Sequence, residues 1–320
     1  MNESFDAHAG AWSENPVVAA IRHTLSGPGK MVRASILLDA CRAVGGDAEL
    51  LVAAASAIEY GHLASLVHDD LIDGDTVRRN RGTVWHEFGA TNAIVAGDLL
   101  VFAAFHALAA CRSRLPAERI VRALETVTEA GIETCLGEGL ELTLAGDVSV
   151  SSERYVRMAR AKTGSLMRGA AEGGAILGGG TPAQAAALRH YGENLGIAFQ
   201  LVDDLLPYVT DAGSLGKPVF SDLRNRRATL PLLFALERCS AAERGWLTAT
   251  FARPDQGGDD VDALHGRVVE LLQRTDAIRR TRRLATEHSS AALWSLAALR
   301  PNEGVQRLAD LALNLAGRDR

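Results

Sequence analysis

The sequence predicts an all-α fold, and three observations carry that expectation. Hydrophobic residues make up 47 % of the chain but aromatics only 5 %, with alanine and leucine dominant, so runs that favour strands are scarce. Apolar positions recur at helical spacing over long stretches, most clearly in residues 91–110 and 116–144. The interruptions fall at glycine and proline clusters: SGPGK (26–30), Gly45-Gly46 and GGGTP (178–182). At 320 residues the chain can bury a substantial core, and no low-complexity linker divides it. It reads as a loose leader, residues 1–15, followed by a single all-α domain, residues 16–320.

Taken in order, Pro16 opens a short helix to Leu25, because proline at a first helical turn loses no hydrogen bond. Residues 31–44 keep helical spacing through Val32, Ile36, Leu37, Ala40 and Val44 until the glycine pair stops them. Asp47 can cap the next helix, which runs into HLASLVHDDLID (62–73). After an RRNRGT loop come the apolar helix 91–110 and the long helix 116–144. Ser151 or Ser152 caps residues 153–177, and residues 183–208 end in FQLVDDLLPY. Residues 262–272, 290–299 and 305–315 read as amphipathic helices, and RRTRR (279–283) as a solvated face.

Composition also excludes whole classes of function. Cys41, Cys111, Cys135 and Cys239 form no CxxC or Cys/His cluster, which argues against zinc and disulfides and for a reducing cytoplasm. The N-terminus is polar and acidic, unlike a signal peptide, and no uncharged apolar run reaches the ~18 residues that span a bilayer. A soluble protein without stable membrane insertion is expected. A net charge of −5 gives no footprint for nucleic acid.

Two stretches carry chemistry. Asp69, Asp70 and Asp73 close an apolar helix; Asp69 and Asp73 lie one turn apart and share a face, and Arg78 and Arg79 follow. Acids followed by guanidinium groups suit a divalent metal whose remaining ligands are phosphate oxygens. Asp203 and Asp204 close a second apolar helix in the same way, and two such helices facing each other would give a cavity two acidic rims. His62 lies two turns before Asp69 on the same side. With Glu59 it also forms an ExxH pair, but the second such pair that a di-iron bundle needs is missing. Lys30, Lys162 and Lys217 are the only lysines among 34 basic residues, which marks each as a place for a compact ammonium charge. Lys162-Thr163 lacks the glycine-rich lead of a nucleotide loop.

Together these residues resemble the trans-prenyl diphosphate synthase family over residues 27–237. GKMVR resembles its first cationic motif, HLASLVHDDLIDGDTVRRNRGTVW its first aspartate-rich motif, AKT its Lys-Thr element, and FQLVDDLL with GKP and SDLR its second aspartate-rich region. The resemblance implies a large helical bundle enclosing a deep apolar cavity, and a homodimer. It implies Mg2+, three ions with diphosphate bound and Mn2+ as an alternative, on Asp69, Asp70, Asp73, Asp203 and Asp204. Arg78, Lys162, Thr163, Gln200 and Lys217 would hold an allylic diphosphate; Lys30, Arg33, His62 and Arg79 would hold isopentenyl diphosphate. The chain departs from the pattern at Pro207, where a third acid is usual, at Ala34, where proline is frequent, and at Arg227, where lysine is common.

Product length is expected to follow pocket size. Ala64 and Ser65, one turn before the acids, are small, and Phe102 and Phe105 are placed as a deeper floor, which together predict a C20 product, geranylgeranyl diphosphate, or a longer one. Two other readings compete: a class I terpene cyclase or irregular prenyltransferase on the same bundle, and a non-catalytic regulatory subunit. The isopentenyl diphosphate residues argue against a cyclase, and the intact acids against a subunit.

Overall fold

The computed structural model describes residues 5, 9–27, 29–209, 221–252 and 261–317. They are almost wholly helical. The helices are α1 (Pro16–Leu25), α2 (Val32–Ala43), α3 (Val52–Asp73), α4 (Val84–Phe88), α5 (Ala90–Ala110), α6 (Ala117–Leu144), α7 (Ser152–Ala159) and α8 (Ser165–Leu177). They continue as α9 (Pro182–Asp203), α10 (Leu206–Val209), α11 (Ser221–Arg224), α12 (Leu230–Leu236), α13 (Ala241–Phe251), α14 (Val261–Arg274), α15 (Ala277–Ser295) and α16 (Glu303–Ala316). Chain packing separates them into two compact units, residues 1–131, 168–189 and 296–308 in the first and residues 132–167, 190–295 and 309–320 in the second.

The first unit is built on α3 against α5. Gly97 permits their close approach, since a Cβ there would lie 2.1 Å from the His68 ring. Gly174 of α8 rests on α2 in the same way, 2.2 Å from the carbonyl oxygen of Leu37 if it carried a Cβ. By length and composition α3 with its leading turn, and α5, are apolar enough to cross a membrane, because spans bearing one or two charges pass where an uncharged run does not. Here they pack on each other. In the second unit α12, every residue of which is buried, lies against α15 and α14.

Two local features depart from the predicted elements. The RRNRGT loop is a two-stranded hairpin, β1 (Val77–Arg78) with β2 (Arg81–Gly82), whose turn residues Arg79 and Asn80 both have positive φ. That is the requirement of a type I′ turn, which matches the natural twist of the paired strands. The predicted helix 153–177 is interrupted by a π-helical turn at Arg160–Gly164. Such single turns displace side chains from their regular helical positions.

Candidate active site

In the first unit the site grows from the end of α3. Asp69 and Asp73 are partly exposed on one face, whereas Asp70 is 5 % exposed and accepts a hydrogen bond from Arg78 Nε. Arg78 Nη2 also reaches Asp69 Oδ2 at 3.4 Å. Asp70, predicted beside Asp69 and Asp73 as a metal ligand, thus also ties down the hairpin arginine. Gly74 ends α3 in the left-handed conformation, and the Asp75 carbonyl then receives Thr83 Oγ1 and Trp85 Nε1, so the hairpin is anchored where Arg78 and Arg79 must be presented.

Beside it stands a cationic cluster. Arg33 is partly buried, and desolvation lowers its pKa to about 10, with Glu59 opposing the shift and Arg79 adding to it. His62 is held well below its ordinary range, first by burial and then by Arg33, Arg79 and Arg78, so its ring is neutral. Arg33 Nε and His62 Nδ1 are buried and have no hydrogen-bond partner among the described residues. Buried polar atoms are rarely left so, and cations crowded together with unused donors fit a missing anion. Glu59 accepts from the backbone N–H of Ala34 at 2.9 Å, at a helix start whose own N-cap residue, Met31, supplies no side-chain cap. Glu59 of the ExxH pair is therefore a helix cap, and His62 stands among the arginines of the cluster. Lys30 and Arg79 are exposed. A pocket of about 70 Å³ opens behind the hairpin, lined among others by Leu63, Leu66, Asp70, Arg78 and Arg79.

In the second unit the π turn carries Lys162 and Thr163. A Cβ on Gly137 of α6 would lie 2.3 Å from the Lys162 backbone nitrogen, and one on Gly196 of α9 would lie 2.5 Å from Gly164 Cα. Two glycines thus pin the turn. Thr163 Oγ1 donates to Gln200 Oε1 at 2.6 Å, and Gln200 Nε2 donates to Asp204 Oδ1 at 2.9 Å. Asp204 Oδ2 accepts from the Tyr155 hydroxyl at 2.7 Å. Asp204 is 3 % exposed, and burial pushes its carboxyl well above the usual carboxylate range against these two donors. At this position, predicted as a metal ligand, both carboxylate oxygens are engaged by Gln200 and Tyr155. Asp203 is exposed. Pro207 is fixed through its carbonyl, which accepts from His265 Nε2 at 2.8 Å, and the His265 ring stacks on Tyr208. Lys217 lies outside the described residues.

Sequence reasoning missed Glu138 and Glu141, which hold Lys162 Nζ at 2.6 Å each; Glu141 also meets Arg227 Nη2 at 3.2 Å. Their i, i+3 spacing on α6 was visible, but a partner on another helix was not. It missed Tyr155 for the same reason. Of the predicted pocket residues, Phe102 is 71 % exposed on α5 and Phe105 37 % exposed. Ala64 is packed to 2 %, while Ser65 is partly exposed and donates its hydroxyl to the His62 carbonyl at 2.8 Å.

The donor types fit a hard cation: Asp69 and Asp73 offer carboxylate oxygens in the first unit, and Asp203 offers one in the second. Among the described residues no three His, Cys, Asp or Glu side chains group to hold an ion by themselves.

A profile of the polyprenyl synthetase family matches residues 14–268. The chain is 35 % identical over 296 residues to the short chain isoprenyl diphosphate synthase of Methanothermobacter thermautotrophicus, covering 92 % of this chain and 88 % of that one. The geranylgeranyl pyrophosphate synthetase of Pyrococcus horikoshii superimposes with a TM-score of 0.88 at 32 % identity, covering 99 % of this chain and 96 % of that one. A polyprenyl synthase of Caulobacter crescentus, complexed with calcium and isoprenyl diphosphate, gives 0.84 at 30 % identity and covers 100 % and 98 %. All-α architecture and two aspartate-rich helix ends define a prenyltransferase of isoprenoid biosynthesis. The chain belongs to the polyprenyl synthetase family.

Proposed function

We propose that the chain condenses an allylic diphosphate with isopentenyl diphosphate head to tail, giving a trans-prenyl diphosphate of C20 or longer. The observation that carries this reading is the pair of buried, unpartnered atoms Arg33 Nε and His62 Nδ1 beside Arg79, next to the acids of α3. A cyclase has one diphosphate to hold and no use for a second anion site.

Asp69, Asp73 and Asp203 are the residues that would hold Mg2+, and a calcium complex with isoprenyl diphosphate in a relative supports a divalent ion at such acids. Bound magnesium would draw charge from the leaving diphosphate and so favour ionisation of the allylic C–O bond. Arg78, kept in place by Asp70, and Lys162, Thr163 and Gln200 bind that diphosphate as charged and neutral donors. Arg33, His62, Arg79 and Lys30 fix isopentenyl diphosphate so that its alkene attacks the cation. No side-chain base is assigned to the final proton, which leaves with the departing diphosphate. Apolar walls exclude water from the cation. Lys217 completes the diphosphate set, and residues 16–320 act as one catalytic domain in the cytoplasm.

The test is incubation of the purified protein with Mg2+, isopentenyl diphosphate and C5, C10 or C15 allylic diphosphates. Linear products of C20 or more are expected; cyclic hydrocarbon formed without isopentenyl diphosphate would overturn the reading. Ser65→Phe should shorten the product by at least one C5 unit, and an unchanged length would remove Ser65 from the pocket.

A further inference from the structure

We infer that Glu141, with Glu138, is a positioning residue that neutralises Lys162 and Arg227, so that diphosphate is held at these cations only together with its divalent metal. The inference deepens the synthase reading and rests on it.

One carboxylate oxygen, Glu141 Oε2, receives both Lys162 Nζ at 2.6 Å and Arg227 Nη2 at 3.2 Å. Glu138 Oε2 takes Lys162 Nζ from the next turn of α6, also at 2.6 Å. The four side chains are 13–20 % exposed, so these are not screened surface pairs of negligible weight. Gly137 lets α6 approach the π turn closely enough for the clamp to form. Two carboxylates thus offset charge on the ammonium and the guanidinium. A diphosphate brought to that set gains from two cations about what it loses to two carboxylates. Binding must then draw on additional positive charge, and the divalent ion that accompanies the diphosphate supplies it. The same balance favours release of product diphosphate once the ion departs. An uncompensated Lys-Arg pair would instead bind free diphosphate and retain it.

The experiment is calorimetric titration of inorganic pyrophosphate into the full-length protein, with Mg2+ and with EDTA, paired with steady-state kinetics. Wild type should bind with Mg2+ and not in EDTA. Glu141→Gln keeps the shape and removes the charge. It should bind pyrophosphate about tenfold more tightly with Mg2+, equivalent to about 1.4 kcal/mol, and bind measurably in EDTA. KM for the allylic substrate and kcat should fall together, the latter through retained pyrophosphate. Glu138→Gln should shift both bindings in the same direction, and keeps the test open if Glu141→Gln does not fold. Unchanged or weaker pyrophosphate binding in the folded variants, or equal wild-type binding in EDTA, would overturn the inference and leave the synthase reading standing. Wild type that binds no pyrophosphate even with Mg2+ would overturn the synthase reading itself.

Discussion

Each aspartate doublet divides its labour between neighbours. Asp69 and Asp203 are the accessible members, while Asp70 holds Arg78 and Asp204 holds Gln200 and Tyr155. A regular helix turns about 100° per residue, so adjacent carboxylates cannot share one face, and burial decides which of them meets solvent. Asp69→Ala should therefore cost about 10³-fold or more in rate, by loss of a metal ligand at a developing charge; turnover near wild type would remove it from the metal set. The second doublet allows a finer contrast. Asp203→Asn should raise the Mg2+ concentration for half-maximal activity, whereas Asp204→Asn should slow the reaction without moving it. An equal shift in both would restore Asp204 as a ligand. His62 makes a prediction about pH. Its folded pKa lies below its ordinary value of 6.5 through burial and three arginines, so the unfolded chain binds the extra proton first. The stability associated with neutral His62 is complete above pH 6.5 and declines as pH falls toward the folded value. Thermal melts from pH 8 to pH 5 should fall less steeply in His62→Gln than in wild type, and identical slopes would refute the assignment.

At the level of elements, the helices were legible because apolar periodicity and glycine breaks are local signals. What escaped was set by tertiary contact. The hairpin of Val77–Gly82 has strands of two residues and an Arg79-Asn80 turn in place of the usual Asn-Gly, so nothing in the pattern marked it. The π turn lies inside a stretch whose sequence reads as one continuous helix. It packs closely on a neighbour, Gly137, and the pairing of a glycine on α6 with a backbone on another helix has no one-dimensional trace. The acids, the arginine pair and the rare lysines were legible because their chemistry is unusual for an apolar helix end. The division of each doublet, and the carboxylates behind Lys162, were not. Gly137→Ala tests the link directly. A Cβ 2.3 Å from the Lys162 nitrogen must push the turn away. The expected cost is about 1–3 kcal/mol in stability and about 10²-fold in kcat/KM, because a shift of one ångström at a positioned cation is enough. A variant with wild-type kinetics would show that the π turn does not position Lys162.

For the whole molecule the exposed face of α5 poses the remaining question of assembly. Ile94, Val95, Phe102 and Phe105 are all exposed there, and Phe102 is 71 % open to solvent on a helix apolar enough to pass for a membrane span. Large apolar side chains grouped on one face mark an interaction surface far more often than they mark solvent. The homodimer that the family resemblance implies would cover it, since a two-fold interface sets the same apolar face against itself and needs no other partner. Phe102→Glu places a carboxylate in that contact on both chains, where burial without a counter-ion is costly. Light scattering behind size-exclusion chromatography should show twice the chain mass for wild type and a single chain mass for Phe102→Glu, with the melting temperature lowered in the variant and dependent on protein concentration in wild type. A monomeric wild type, or a variant that stays dimeric, would place the assembly surface elsewhere. Vesicle flotation of wild type together with a monomeric mass would assign the face to lipid instead.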